Sequence, residues 1–319
     1  MRVIWEGAVC IEEGEKKLYL DPKRRREHAV VTHAHLDHLV DGALMTPPTM
    51  DVMKVRMPSN DVFATAACFR ERTPVGDFHV ELHEAGHVLG SAMVNVGDIL
   101  YTGDFDTVMG ITCGAAEPLP CETLIVEATY GDPRFVLPDP EGVRNDLLSW
   151  MEDSLTSAPV MLGGYEFGKA QDLVALANSI HVPVVVPDSI AMICEVYRKH
   201  GVPLEFTPFS AASRDLLNSS HVFVTSRKEL RHPCPEHVRA HRKKGARAAY
   251  ISGWAAFWNY TSTYDVDAQF PLSNHADFAR ILEFAQACKP KQIFTVHGSS
   301  ASLAKEIEAR LKIPAKPLK

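Results

Sequence analysis

The stretch His33-Ala34-His35-Leu36-Asp37-His38 places three histidines and one aspartate within six residues. It follows the apolar segment 28–32, which the pattern predicts to be a β-strand, so these polar side chains occupy a turn at a strand end. Imidazole and carboxylate groups are common metal ligands, and one short turn of this composition can supply two neighbouring ions. The stretch therefore predicts a metal site rather than a solvated polar loop.

Three further polar residues stand at strand ends or in tight turns elsewhere in the chain: His87, Asp104 and His297. His87 lies between glycines before a predicted strand, Asp104 follows the apolar segment 99–102, and His297 follows the segment 292–296. Each alone is weak evidence, because a histidine beside a glycine is more often a capping or surface residue. As a set they indicate a metal centre, because the strand ends along one edge of a sheet are where α/β folds build sites.

Together these motifs resemble those of the metallo-β-lactamase superfamily, and four further segments resemble its β-CASP nucleases. The four are Glu127-Ala128-Thr129-Tyr130-Gly131, Gly168-Lys169-Ala170-Gln171, Ser273-Asn274-His275-Ala276-Asp277 and Val296-His297-Gly298. β-CASP nucleases include ribonuclease J, the endonuclease of messenger-RNA polyadenylation and Artemis. In length and in segment 165–171 the chain is most similar to a short group, the ligase-associated or mRNA-end-processing exonucleases. Ala128 departs from the family pattern, which has Ser or Thr after the glutamate.

The resemblance implies an α/β fold: a metallo-β-lactamase αββα sandwich with an inserted, reduced α/β β-CASP domain. The sequence rhythm agrees, because short strand patterns near the N-terminus give way to alternating helix and strand patterns. We expect the sandwich domain at 1–132, the insertion at 133–268 and the return of the sandwich at 269–319. Segments 51–57 and 61–69 are interpreted as helices, and the insertion is expected to contain a parallel sheet.

The resemblance also assigns roles to the site residues. It implies one ion held by His33, His35, His87 and Asp104, and a second held by Asp37, His38, Asp104 and His297. These donors favour two Zn²⁺ ions, with Mn²⁺ as the alternative. Asp37, His275 and Glu127 are the expected catalytic residues: metal-bound hydroxide attacks phosphorus, and His275, oriented by Glu127, protonates the leaving oxygen. The alternative for His275 is a buried structural histidine, and Asp277 is expected to cap the following helix.

The implied function is cleavage of single-stranded RNA or DNA, more narrowly by an exonuclease. Substrate contacts are expected at Lys169, Arg242 and Lys243, because a basic stretch suits a phosphate backbone; a solvated helix face explains the basic stretch equally well. The run from Lys23 to Arg26 is explained equally well as a surface turn. The aromatic residues at 254–260 favour a seam between domains over a base-stacking surface.

Two other functions stay open: a small-molecule hydrolase on the same scaffold, and a non-catalytic nucleic-acid-processing subunit. The first has no need of Glu127, His275 or the insertion, and the second typically lacks metal ligands that this chain retains. A separate group of potential zinc donors comprises His232, Cys234, His237 and His241. Their spacing is irregular, which favours an exposed loop.

The composition is that of a globular chain: 319 residues, of which 46% are hydrophobic and 23% charged. A net charge of −7 argues against a nucleic-acid partner on average, although several of the acids serve as ligands. No apolar run approaches the ~20 residues of a membrane span, and the N-terminus lacks a signal-peptide pattern. These two observations, together with seven scattered cysteines, favour a cytoplasmic location without membrane contact. The sequence leaves open whether the protein forms a homodimer.

Overall fold

The fold is that of a computed structural model, which describes residues 1–58, 63–231 and 233–319. The chain divides into two units: a first unit of residues 1–136 and 275–319, and an inserted unit of residues 137–274. The sequence predicted these divisions at 132/133 and 268/269. Both divisions fall later in the structure, at 136/137 and 274/275. At the second, the strand at 268–270 pairs with a strand of the inserted unit.

One layer of the first unit is a six-stranded sheet. In spatial order its strands are β1 (Arg2–Trp5), β2 (Val9–Glu13), β3 (Lys16–Leu20), β4 (Ala29–Val30), β5 (Leu44–Met45) and β6 (Thr65–Ala66). β1 to β3 pair antiparallel and β3 to β6 pair parallel. Helix α1 (Pro47–Arg56) begins after the N-cap Thr46 and buries Met53 in a cluster with Val31 and Met45.

The second layer is a seven-stranded sheet that collects strands from both ends of the chain. Its strands are β7 (Arg72–Val75), β8 (Phe78–Glu84), β9 (Ala92–Val96), β10 (Ile99–Tyr101), β11 (Thr123–Glu127), β18 (Gln292–Val296) and β19 (Ala315–Pro317). β10, β11, β18 and β19 are parallel neighbours. The helices of this layer are α9 (Phe278–Ala287), which begins after the predicted N-cap Asp277, and α10 (Ser300–Leu311).

Apolar side chains hold these layers together in the order helix, sheet, sheet, helix. Val9 and Leu18 of the first sheet and Val80 and Tyr101 of the second are buried in one cluster between the sheets. On its other face the second sheet buries Leu124 and its neighbours against α9 and α10. Successive side chains of the second sheet point alternately toward the other sheet and toward the helices, and both faces are apolar. This packing produces an αββα sandwich, which confirms the predicted fold class.

The inserted unit is built on a six-stranded sheet whose pairings are parallel, as predicted. In spatial order its strands are β14 (Thr207–Pro208), β13 (Val184–Val186), β15 (Val222–Ser226), β12 (Val160–Gly164), β16 (Arg247–Ile251) and β17 (Ala268–Phe270). Its helices are α2 (Pro140–Leu155), α3 (Lys169–Ser179), α4 (Asp188–Lys199), α5 (Arg214–Asn218), α6 (Arg227–Leu230), α7 (Glu236–Lys243) and α8 (Thr261–Tyr264). The central strands are rich in Val and Ala because helices cover them and they are buried.

Two local predictions are wrong. The helix expected at 61–69 is not formed at 63–69, because residues 65–66 extend the first sheet as β6; residues 61 and 62 lie outside the described residues. The segment 234–241 is not an exposed loop, because it enters helix α7 and buries Cys234 and His241. His232 lies outside the described residues. Within the described ranges, no helix is long and apolar enough to cross a membrane.

Candidate metal centre

The ends of three parallel strands bring separate parts of the sequence together in the first unit. Tyr101 of β10 is in register with Ile125 of β11, and Glu127 of β11 is in register with Val296 of β18. The residues that follow these strands therefore leave the sheet at the same edge. Asp104, Glu127 and His297 meet the turn that follows β4 at this edge.

Four of the predicted ligands converge there: His33, His35, His87 and Asp104, whose ligand atoms all lie within 4.8 Å of one another. Asp104 Oδ2 is 3.5 Å from His33 Nε2 and 3.8 Å from His87 Nε2, and His87 Nε2 is 3.2 Å from His35 Nδ1. His33 and His87 are buried. Three imidazoles gathered around one carboxylate fit a transition-metal ion such as Zn²⁺.

Hydrogen bonding directs one lone pair of His33 into this cluster. Thr32 Oγ1 donates its proton to Asp21 Oδ2 at 2.8 Å, so it accepts from His33 Nδ1 at 3.0 Å. His33 Nδ1 therefore carries the ring proton, and Nε2 is the acceptor nitrogen. His33 Nε2 is buried without a hydrogen-bond partner among the described residues, as expected of an atom that ligates a metal.

The charge states of the cluster are those that a cation needs. Burial, and then the neighbouring imidazole of His38, lower the pKa of His33 well below its usual value, so the ring is neutral. Burial raises the pKa of Asp104, but the surrounding histidines, charged His275 and His38 among them, outweigh burial and hold that pKa well below the usual range. A neutral imidazole and an ionised carboxylate are the ligating forms of both groups.

The residues predicted for the second ion are gathered less closely. The rings of His38 and His33 are 4.2 Å apart between centroids, and those of His38 and His297 are 5.8 Å apart. Asp37 Oδ2 lies 3.9 Å from His38 Nε2, and the Asp37 side chain is 80% exposed. His297 follows β18 with a φ of +59°. The assignment of a second ion to these residues stays a prediction.

Buried Glu127 pairs with partly exposed His275 beside the first ligand set. His275 Nδ1 donates to Glu127 Oε1 at 2.8 Å, and the backbone N–H of Thr129 donates to Glu127 Oε2 at 2.7 Å. The His275 ring centroid is 4.4 Å from that of His87. Burial lowers the pKa of His275, but the carboxylate of Glu127 outweighs it and raises that pKa to about 9. The predicted pair is thus brought together at the edge of the cluster.

A family model for the "Zn-dependent metallo-hydrolase RNA specificity domain" matches residues 264–316, which include His275 and His297. The chain is also similar to a "Probable DNA ligase" of Opitutus terrae, at 29% identity over 92% of this chain and 29% of the relative. An "RNase J-like protein" of Methanocaldococcus jannaschii is 25% identical over 54% of this chain and 49% of that protein. The "Cleavage and polyadenylation specificity factor subunit 3-II" of Arabidopsis thaliana is 24% identical over 89% of this chain and 60% of that protein.

The chain belongs to the β-CASP family of metallo-hydrolases. It spans less than two thirds of the length of each of these relatives. A crystal structure titled as a protein of unknown function from Enterococcus faecalis V583 has a TM-score of 0.60 at 15% identity, covering 87% of this chain and 76% of that one. That likeness concerns the fold alone.

Two positioning residues of this β-CASP protein were missed in the sequence. Asp21 accepts hydrogen bonds from the N–H and hydroxyl of Thr32 and from the Tyr101 hydroxyl, and lies 3.1 Å from His38 Nδ1. Arg280 donates to Asp106 Oδ1 at 2.6 Å and to Asp277 Oδ1 at 3.2 Å. Asp21 directly follows segment 17–20, whose pattern predicts a strand, and this is the one available signal.

The predicted substrate contacts lie in the inserted unit of the β-CASP protein. Lys169 is buried, with Nζ 3.5 Å from Asp172 Oδ2. Arg242 donates to the carbonyls of Leu230 and Tyr264 and pairs with Asp265, whereas Lys243 is exposed. The contacts of Lys169 and Arg242 are structural, and a substrate role for any of the three stays a prediction.

Proposed function

We propose that the protein is a metal-dependent phosphodiesterase that cleaves single-stranded RNA or DNA. The observation that carries the proposal is the convergence of His33, His35, His87 and Asp104 within 4.8 Å, beside the Glu127–His275 pair. The family model for an RNA specificity domain and the similarity to an RNase J-like protein support a nucleic-acid substrate.

The residues that would hold the metal are the imidazoles and carboxylates gathered at this edge of the sheet. One Zn²⁺ would be held by His33, His35, His87 and Asp104, and a second by Asp37, His38, Asp104 and His297. When bound, the ions supply Lewis-acid stabilisation of charge on the phosphate and a water nucleophile ionised near neutral pH. Asp21 and Thr32 orient the ligating rings through the contacts described above.

We assign His275 as the acid that protonates the leaving oxygen. Its Nδ1 donates to Glu127, which fixes the ring and leaves Nε2 as the nitrogen for proton transfer. Glu127 is fully buried and held at its second oxygen by the backbone of Thr129. Glu127 therefore acts as a positioning residue and His275 as the acid.

Within this proposal the narrower activity is that of an exonuclease, supported by the resemblance to the short ligase-associated group. The test is to incubate zinc-loaded protein with end-labelled linear single-stranded RNA and DNA, and with internally labelled circles of both. Product ladders report direction and sugar preference, and cleavage of circles indicates an endonuclease. A cytoplasmic location and a homodimer stay predictions that gel filtration and cell fractionation can address.

The catalytic assignment is tested by the double substitution Asp37→Ala with His38→Ala. This variant is expected to lose cleavage while retaining its circular dichroism spectrum. His275→Ala should slow cleavage about 10²-fold or more with its zinc content unchanged. His79→Ala, an exposed histidine of the same unit, is the control and should cut at the parental rate. Full activity in the double variant would refute the assignment.

Two alternatives are separated by the same preparation. A small-molecule hydrolase would hydrolyse a lactam or thioester and leave both nucleic acids intact. A non-catalytic subunit would hold no zinc after purification with the metal. The buried His33 Nε2, aimed at Asp104 from 3.5 Å, favours the metal-binding protein over the latter.

A further inference from the structure

The segment between β3 and β4 carries four consecutive exposed cations, Lys23-Arg24-Arg25-Arg26. Arg25 Nη1 is 3.4 Å from Asp41 Oδ2, and Arg26 donates to the Glu6 carbonyl. Among the residues that the structure describes, Lys23 and Arg24 have no ion pair. Two positive charges therefore face solvent together on a protein whose net charge is −7.

An exposed aromatic ring lies beside this basic segment. The Phe63 backbone N–H donates to Asp41 Oδ1 at 2.8 Å, and its carbonyl accepts from the Gly42 N–H at 2.6 Å. The other oxygen of the same Asp41 carboxylate faces Arg25. Asp41 thus joins the backbone of Phe63 to Arg25, while Phe63 remains 66% exposed. The exposed face of this ring is therefore available to a partner that stacks on it.

The basic segment and Asp41, which binds the Phe63 backbone, are each joined to the candidate metal centre by a few residues of chain. Lys23 follows two residues after Asp21, whose carboxylate lies 3.1 Å from His38. Asp41 follows three residues after His38, so their Cα atoms are at most about 11 Å apart. A strand whose phosphodiester is held at the metal centre can therefore reach this surface within a few nucleotides.

Cations with a neighbouring exposed ring match the two repeating features of a single strand, its phosphates and its unpaired bases. A folded acidic protein would use the cations but leave the ring without a stacking partner, and duplex bases are not free to stack. We propose that Lys23, Arg24 and Phe63 form a contact site for single-stranded nucleic acid outside the metal centre. The inference rests on the proposed function, whose substrate it extends along the first unit.

The charge contribution is tested by the salt dependence of binding. Zinc-loaded protein is titrated into fluorescent, phosphorothioate-linked single strands of uridine or thymidine, and affinity is read by anisotropy at several salt concentrations. Each lost phosphate contact lowers the slope of log K against log salt by about 0.7, so Lys23→Ala with Arg24→Ala should lower it by about 1.4. Lys305→Ala with Lys319→Ala removes the same charge elsewhere and should leave the slope unchanged.

The ring contribution has a different signature. Phe63→Ala should raise Kd about tenfold with an unchanged salt slope, because stacking involves no counterion release, and Phe63→Trp should restore the affinity. An unchanged slope in the double variant, an equal change in the control, or parental affinity in Phe63→Ala would each overturn the inference. Binding by a protein that cleaves nothing would refute the proposed function and leave the contact site standing.

Discussion

Replacing Arg280 with methionine tests the connection between the two segments that carry Asp104 and His275. The Arg280 guanidinium bridges Asp106, two residues after Asp104, and Asp277, two residues after His275. A backbone hydrogen bond from Ala276 to Phe105, at 2.8 Å, joins the same segments. Methionine keeps the apolar stem of the side chain and removes the bridge.

The expected cost follows from the burial of the pair. The side chains of Arg280 and Asp106 are 15% and 7% exposed, so the variant leaves a buried carboxylate without its cation. Removing one partner of a buried pair costs about 3–5 kcal/mol, and the residual exposure of Arg280 places this case near the lower value. With a urea m-value of about 3 kcal/mol per molar for a chain of this size, the unfolding midpoint falls by about 1 M.

The assay is urea unfolding followed by hydrogen exchange, with peptides of α9 reporting on the first unit and peptides of β12 on the inserted unit. The double variant Arg280→Met with Asp106→Asn removes the unpaired charge, and should recover about 2 kcal/mol of the loss at α9. A midpoint of α9 within about 0.2 M of the parent in Arg280→Met would refute the reasoning. So would a double variant as unstable as the single one.

Three further perturbations follow from single residues. Burial lowers the pKa of His241, which contacts His221, to about 4. Because this pKa is below that of the unfolded chain, neutral His241 contributes fully to the free energy of unfolding above about pH 6.5. The contribution is lost as the pH falls toward 4. Urea midpoints at pH 5 and pH 7.5 should therefore differ less in His241→Phe than in the parent. At Gly298, with a φ of +35°, a Cβ would lie 2.1 Å from a backbone oxygen. Gly298→Ala should therefore lower the free energy of unfolding by more than about 2 kcal/mol, measured by thermal unfolding. The control Gly201→Ala, where a Cβ meets open space, should lower it by about 1 kcal/mol. Asp21→Asn should weaken zinc affinity about 10- to 100-fold in a chelator competition.

The strands and helices that the sequence predicted well are those with long, unambiguous apolar patterns. The sequence patterns predict strands at 123–127 and 292–296 and a helix at 169–179, and β11, β18 and α3 have these bounds, because each carries a run of buried apolar residues. The short strands β5, β6 and β14 were missed, since two residues carry no periodicity. The Ala-rich segment near residue 65 favoured a helix by propensity, and pairing at the sheet edge overrode it.

For the candidate site, the sequence predicted the ligand types but not the residues that hold them in place. The histidine-rich turn was recognisable because its four polar residues lie within six positions. Asp21 and Arg280 each have one partner far away in sequence: Tyr101 is 80 residues from Asp21, and Asp106 is 174 residues from Arg280. Only the fold brings such residues together, so no local spacing rule could have found them.

The C-terminal return of the chain completes the sheet edge at which the candidate site lies. β18 pairs with β11 along its whole length, from Thr123 opposite Gln292 to Glu127 opposite Val296, so it fixes the strand end that carries Glu127. The same strand delivers His297, and the following Gly298 lies so close to the Ala128 backbone that a side chain would collide with it. The position of His297 and the position of Glu127 are therefore set by one packing contact. A disturbance of either strand end must move both groups, which couples a ligand predicted for the second ion to the residue that orients His275.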